Sequence, residues 1–323
     1  MGLLSHRKEN TNVTEPGKIV IPRKAMTLIM VREQNAHGFE VFLLKRHEQN
    51  IFMGGNFVYP GGRLDKGDGA TEIIDLSRGI STGRAWQILG ETNPQSESLA
   101  YWVAGIRELF EEAGILLAYN RDGHLLSIDS DDMRQRFNLH RKALQKGEQS
   151  FLQIVKEEGL TLALDKCFYY AHWITPEARN VRFDTRFFIA RNVPGQEASP
   201  DAKETTEGVW LSPAEALAKN LLGTVALSPP TLKTLEDLSR FNTINDLLLA
   251  LPNMEKPTVL PILLNPLADE VLIFPWDPEY ERFKNGELTQ PTDHGSPSGP
   301  SDNTTRLVLK DGRWLPYVKP ALE

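Results

Sequence analysis

Cysteine is nearly absent from this chain of 323 residues: Cys167 stands alone, so no internal disulfide can form. That fits a reducing compartment, and a small buried strand residue is the ordinary reading of such a cysteine. Long apolar runs are missing as well. Nothing approaches the roughly 20 consecutive apolar residues that a membrane helix needs, and the start MGLLSHRKEN lacks the apolar core of a secretory signal. The start also misses the myristoylation pattern, with His6 where Ser or Thr is wanted, and the closing Ala-Leu-Glu is not a peroxisomal address. A cytoplasmic protein without a membrane partner is the expectation. Basic charge is short too: 36 Lys and Arg face 43 Asp and Glu, a formal net charge of −7 that leaves no basic stripe for a nucleic-acid groove. A local Arg cluster or a bound metal can still attract a small anion.

What is present is an ordinary globular composition, enough to bury a core as one large domain with additions. Residues 24–46 read as a hairpin, AMTLIMV and FEVFLLKR joined through the turn-prone EQNAHG. The glycine-rich MGGNFVYPGGRLDKGDG follows, where the chain can approach a ligand closely. Residues 68–94 are mixed and polar, with short helices around TEIIDLSRG and GRAWQILG and no clear strand; they read as an insertion. The strongest helix runs from Glu97 to Gly114, with Ser96 or Ser98 as N-cap and Gly114 as its stop. Leu99, Trp102, Val103, Ile106, Leu109, Phe110 and Ala113 give it a core-facing stripe.

Two more helices, DDMRQRFNLHRKALQK and SFLQIVKEEG, lead to strands around CFYYAHWIT, RFDTRFFIAR and EGVWLS. Ser212-Pro213 opens a further helix, Ser228-Pro229-Pro230 another, and INDLLLALP a short one. The tail keeps strand-like stretches, PTVLPILL, EVLIFPW and TRLVLKDGRWLPY, around a mobile-looking HGSPSGPSDN. The expected division is an N-terminal extension over 1–22, a central domain over 23–222 with an insertion inside 69–106, and a C-terminal helical and β extension over 223–323.

At about 100° per residue, Glu108, Glu111 and Glu112 fall at roughly 180°, 120° and 220° from Leu99, opposite the apolar stripe. Glu108 and Glu112 are like charges four residues apart, a pairing that costs a few tenths of a kcal/mol unless something neutralises it. Arg107, four before Glu111, offers local relief. A solvated acidic face is the plain reading. The sharper one is a site for hard cations, since carboxylate oxygens suit Mg²⁺ or Mn²⁺, which commonly bridge a few side chains to substrate phosphates.

Around these glutamates, Arg107-Glu108-Leu109-Phe110-Glu111-Glu112-Ala113-Gly114-Ile115 resembles the second half of the Nudix hydrolase signature, R-E-U-x-E-E-x-G-U with U aliphatic. Gly62, five residues and then Asp68 resemble the first half, with Asp where the family has Glu. Between Asp68 and Arg107 stand 38 residues (69 to 106) instead of seven. The split signature, the preceding LLKR and the FVYPGGRLD before the break look like the coenzyme A diphosphatase-like branch.

The resemblance implies an α/β fold, an α/β/α sandwich around a mixed curved sheet. It implies that Glu108, Glu111 and Glu112 hold Mg²⁺ or Mn²⁺ with a backbone carbonyl of Gly61 or Gly62, and that Arg107 orients helix and loop. A late-loop acid contributes in the family; Glu204 rather than Glu207 fits by its six-residue lead over Trp210. The implied reaction is attack of water on phosphorus, with Glu108 or Glu204 taking the proton; the sequence leaves both open. The implied substrate is coenzyme A or acyl-coenzyme A, cut to 4′-phosphopantetheine and adenosine 3′,5′-bisphosphate. ADP-ribose or a nucleotide sugar is the runner-up. A non-catalytic nucleotide sensor would have lost a glutamate, and RNA cap removal would want a basic patch.

Arg46, Arg63, Arg182 and Arg186 are candidates to bind the anionic substrate, because a guanidinium grips phosphate through paired hydrogen bonds. His47, His140 and His172 show no metal-ligand spacing and read as ordinary. Two further expectations are a homodimer and an insertion that lines the substrate pocket.

Overall fold

The computed structural model describes residues 20–34, 38–49, 53–90, 94–201, 203–265, 270–291, 296–297 and 304–318. Strands β1 (Arg23–Glu33) and β2 (Phe39–Arg46) form the expected antiparallel hairpin, Val31 opposite Val41, although residues 35–37 of its turn lie outside the described set. The glycine-rich link supplies β3 (Phe57–Val58), paired with β2, and β4 (Gly61–Arg63), paired with β1.

The insertion folds into α1 (Thr71–Asp75), β5 (Ser77–Arg78) and α2 (Thr82–Ile88) before α3 (Ala100–Ala113), the helix with the glutamates. Sequence reading gave no strand here. β5 owes its existence to partners distant in sequence: it joins β6 (Ala118–Tyr119) and β7 (Thr161–Ala163) in a three-stranded sheet, across α4 (Asp131–Gln145) and α5 (Phe151–Glu158).

Next come β8 (Phe168–Ile174), β9 (Phe183–Arg191) and β10 (Thr205–Leu211), then α6 (Pro213–Leu222), α7 (Pro229–Leu238) and α8 (Ile244–Ala250). The main sheet runs β10-β2-β1-β9-β8-β11, where β11 is Thr258–Val259. It is mixed, because β9 is parallel to β1 and antiparallel to β8. The tail strands β12 (Ile262–Leu264) and β13 (Val271–Ile273), α9 (Tyr280–Lys284), and β14 (Ser296–Pro297), β15 (Arg306–Lys310) and β16 (Arg313–Val318) build a second sheet, ordered β12-β13-β15-β16-β14. β14 lies inside the stretch read as a loop, most of which is outside the described residues.

Side-chain alternation along β1 divides the core in two, as it must in a strand buried on both faces. Met26, Leu28 and Met30 join the cluster that includes Trp102, Ile106 and Phe110 of α3. Ile29 and Val31 join the opposite cluster, with Leu217 of α6, Leu232 and Leu235 of α7, Leu247 of α8, and Leu307 and Trp314 of the tail sheet. The result is the expected helix-sheet-helix layering. Among the described residues no helix is long and apolar enough to cross a membrane. Cys167 is buried one residue ahead of β8.

The start of α3 corrects the capping expectation. Neither Ser96 nor Ser98 is the cap: a short 3₁₀ turn over Gln95–Glu97 comes first, Leu99 takes the N-cap position without a side-chain bond, and the buried Ser98 hydroxyl has no hydrogen-bond partner. Its far end follows expectation, with Gly114 at φ +74 stopping the helix. At α6 the signal holds in full, Ser212 accepting from the Glu215 amide and Pro213 opening the first turn.

Candidate active site

The last two turns of α3 lie against β4, and the fit is made by glycine. A methyl group at Gly62 would stand 2.3 Å from Glu108 Oε1, and one at Gly61 would stand 2.4 Å from the Met26 carbonyl oxygen. Only a residue without Cβ lets strand, neighbour and carboxylate come this close. The Gly61 amide donates to Glu112 Oε2 at 2.9 Å, so helix and loop are bonded at the site itself.

Arg107 fixes the rest. Its Nε and Nη2 donate to Asp68 Oδ1 (2.8 Å) and Oδ2 (3.0 Å), a bidentate clasp that closes the split signature in space. Nη2 also reaches the Arg63 carbonyl at 3.0 Å, and Nη1 reaches Glu108 Oε1 and Glu111 Oε1, both at 2.9 Å. The Asp68 side chain, shorter than the glutamate of the signature it resembles, still reaches Arg107. Burial works against the Arg107 charge, but the bonds to Asp68 and the field of Glu108 outweigh it and raise its pKa.

The glutamates are not a solvated face. Burial pushes the Glu108 carboxyl up to about 7, with Glu111 adding to the shift and Arg107 opposing it. Burial and then the neighbouring Glu108 charge raise Glu112 well above the usual carboxylate range. Among the described residues no three acidic, imidazole or thiol groups already enclose one point. Glu108 and Glu111 lean on Arg107 instead, and Glu112 leans on the Gly61 amide. The donor set nonetheless suits a hard divalent cation: carboxylate oxygens, crowded and partly desolvated, whose mutual repulsion positive charge would relieve.

These groups border a cleft of about 1100 Å³. Glu204 lines it, exposed on the loop before β10, and its charge reaches Glu112; Glu207 sits within β10 opposite Lys45. Asp201 shapes that loop by accepting from the amides of Lys203, Glu204 and Thr205. Arg46 and Arg63 also line the cleft, Arg46 close enough to lower the pKa of Glu112.

Similarity to known proteins follows this geometry. A family model described as the NUDT19 Nudix domain matches residues 17–240, more than half of the chain. The chain belongs to the Nudix hydrolases. It is 29% identical over 244 residues to the acyl-coenzyme A diphosphatase NUDT19 of Xenopus laevis, a match covering 67% of this chain and 64% of that protein. It is 27% identical over 283 residues to the Homo sapiens protein of the same name, covering 77% and 74%. The crystal structure of a Nudix hydrolase from Alicyclobacillus acidocaldarius superposes with a TM-score of 0.58 at 22% identity, over 74% of this chain and all of that one, which establishes the shared fold. Nudix hydrolases generally work with divalent metal ions.

Two of the four arginines singled out from the sequence of this Nudix chain do not line the cleft. Arg182 is 4% exposed and donates to the carbonyls of Thr175 (3.0 Å) and Val20 (2.7 Å). Arg186 is 1% exposed on the α3 side of β9, bonded to Asp184 and 5.7 Å from the Tyr101 ring. Their place is taken by Arg23 and Arg179, which do line it and which no motif marked. Sequence reading also missed Arg141 and Gln145 of α4, whose side chains donate to the Glu111 carbonyl at 2.8 Å and 2.6 Å and hold the end of α3. The three histidines singled out from the sequence make local contacts: His172 bridges Asp184 and Thr258, His140 bridges Gln149 and Glu158, and His47 Nδ1 accepts from the Gln49 amide. Of the insertion, Ala70 and Ile73 reach the cleft.

Proposed function

We propose that this chain hydrolyses the diphosphate linkage of coenzyme A and acyl-coenzyme A, releasing 4′-phosphopantetheine or its acylated form and adenosine 3′,5′-bisphosphate. The observation that carries it is the junction of α3 with Gly61 and Gly62, where three glutamates face one large cleft that Arg23, Arg46 and Arg63 also line. The names of the relatives support the choice of substrate; their match stops short of the full relative, at 64% of the Xenopus protein.

Mg²⁺ or Mn²⁺ would be held by Glu108, Glu111 and Glu112 with the Gly61 carbonyl. Bound there, such ions supply charge stabilisation to the phosphoryl oxygens and acidify water. The chain's own part is placement. Arg107 keeps Glu108 and Glu111 in position, the Gly61 amide does so for Glu112, and the arginines along the cleft grip the substrate phosphates. Glu204, which lines the cleft from the loop before β10, or Glu108 would take the proton from water.

The test incubates the full chain with Mg²⁺ or Mn²⁺ and coenzyme A, acyl-coenzyme A, ADP-ribose, NADH and nucleotide sugars, with products identified by mass. Metal-dependent 4′-phosphopantetheine release, lost by a factor on the order of 10³ in Glu111→Gln, is the expected result. Preferred cleavage of ADP-ribose would overturn the substrate, and nucleotide binding without any cleavage would overturn the activity.

A further inference from the structure

The cleft has two arms that leave the glutamates in different directions. One runs on the α3 side past the α4–α5 junction, where Glu148, Gln149 and Ser150 present polar groups beside Leu144, Phe151 and Leu152. The other crosses the opposite face of the main sheet. Register defines its floor: Arg63 of β4 is opposite Ala25 of β1, Ala25 is opposite Thr185 of β9, and Thr185 is opposite Trp173 of β8. Directly paired residues share a face, so these four side chains form one row. The next row brings Thr27 and Phe187.

This second arm is mostly apolar, with the hydroxyls of Thr185, Ser228 and Thr231 among its lining, and is roofed by the tail of the chain. Trp173, Phe187, Pro229, Pro261, Leu272 and Trp314 line it. Arg179 borders it as well, but its charge is answered by Glu270 at 2.6 Å, an ion pair that also ties the loop before β9 to the start of β13. The roof is fixed in place: Asn220 of α6 donates to the Trp314 carbonyl at 2.9 Å, Arg313 donates to the Leu221 carbonyl at 2.8 Å, and Trp173 packs edge-on against Phe274 with centroids 5.9 Å apart. Pro261, Leu272 and Trp314 all lie past residue 240, where the match to the Nudix-domain model ends.

We propose that the arm between Trp173 and Trp314 takes the alkyl tail of an acyl thioester, so that the C-terminal sheet reads acyl length. This rests on the acyl-coenzyme A reading given above. The chemistry favours such an occupant. A diphosphate needs the arginines and glutamates at the head of the arm, whereas walls of Trp, Phe, Leu and Pro offer nothing to an anion and bind a methylene chain, each buried methylene adding about fourfold in affinity. The mixed arm, with Glu148, Gln149, Ser150 and Gln153, suits the amides and hydroxyls of the remaining substrate.

The test measures kcat/KM of the full chain for free coenzyme A and its acetyl, octanoyl and palmitoyl thioesters in the unmodified protein, Thr185→Phe and Trp314→Ala. Thr185→Phe puts a ring into the arm at a strand position that tolerates aromatics. It should lower the ratio of octanoyl to free coenzyme A at least tenfold, chiefly through KM, and Trp314→Ala should flatten the dependence on chain length. Circular dichroism shows which variants are folded, and Thr185→Phe keeps the test alive if Trp314→Ala is not. Equal change for all four substrates, or a chain-length effect that follows Phe151→Ala in the other arm instead, would overturn the proposal.

If the unmodified chain cleaves no thioester, the activity reading has failed and the arm is judged by binding. Glu111→Gln should then hold palmitoyl-coenzyme A more tightly than free coenzyme A by calorimetry, and the added Thr185→Phe should remove that preference. No preference in Glu111→Gln would sink the proposal by itself.

Discussion

Arg107 on α3 and Arg306 at the start of β15 are both buried guanidiniums gripped by carboxylates. Arg306 donates from Nε to Asp277 Oδ2 at 2.6 Å and from Nη2 to Asp277 Oδ1 at 2.8 Å and Glu279 Oε2 at 2.6 Å, with all three side chains sealed from solvent. Two carboxylates share one cation there, in a closed pocket. Arg107 makes a comparable set of bonds to Asp68, Glu108 and Glu111, but it does so at the edge of an open cleft, where the charge of Glu112 adds to that of Glu108. Burial and bonding alone do not separate a strut from a reactive centre. What separates them is the unanswered negative charge and its access to an ion from solvent.

The largest expected effect falls on the strut. Arg306→Met leaves Asp277 and Glu279 buried without their cation and should cost about 3–5 kcal/mol in urea unfolding; a loss under about 1 kcal/mol would erase the contrast. At the cleft the same logic runs in reverse. Glu112→Gln removes one of the crowded charges and should raise metal-free stability by about 0.5–2 kcal/mol while lowering turnover on the order of a hundredfold or more. A variant both less stable and fully active would show that the crowding is ordinary packing. Gly62→Ala separates geometry from charge: it keeps every carboxylate but forces Glu108 to move, so activity should fall about a hundredfold. Metal affinity followed by calorimetry should weaken with it.

How much of this was legible in the sequence differs by residue. The glutamates were, because helical periodicity and the run from Arg107 to Ile115 are local properties of one element, and the structure adds only the partners. Asp68 was legible as a match but not as a contact, since its bond to Arg107 spans 39 positions. The arginines were not. Arg186 and Thr185 are adjacent, yet one faces Tyr101 under α3 and the other lines the cleft, so strand parity decided their fates. Ser98 looked as good a cap as Ser212 until packing buried its hydroxyl without a partner. The C-terminal wall of the cleft was invisible for the same reason as β5: both arise from pairings between distant segments.

The clasp between Asp68 and Arg107 turns the intervening residues into a loop whose two ends are pinned at one point. Polymer statistics make the length of such a loop cheap, since doubling it costs only about 0.6 kcal/mol in closure entropy. The loop meets the cleft through Ala70 and Ile73 close to one pin and through Val103 close to the other. The exposed connection between α2 and α3, around Gly90 and Pro94, can therefore be lengthened at small thermodynamic expense, whereas Ala85, Leu89 and Leu99 on either side of it are anchored in the core. A signature interrupted in the chain stays whole in space, and the interruption becomes a port through which the molecule can acquire new surface while its chemistry stands still.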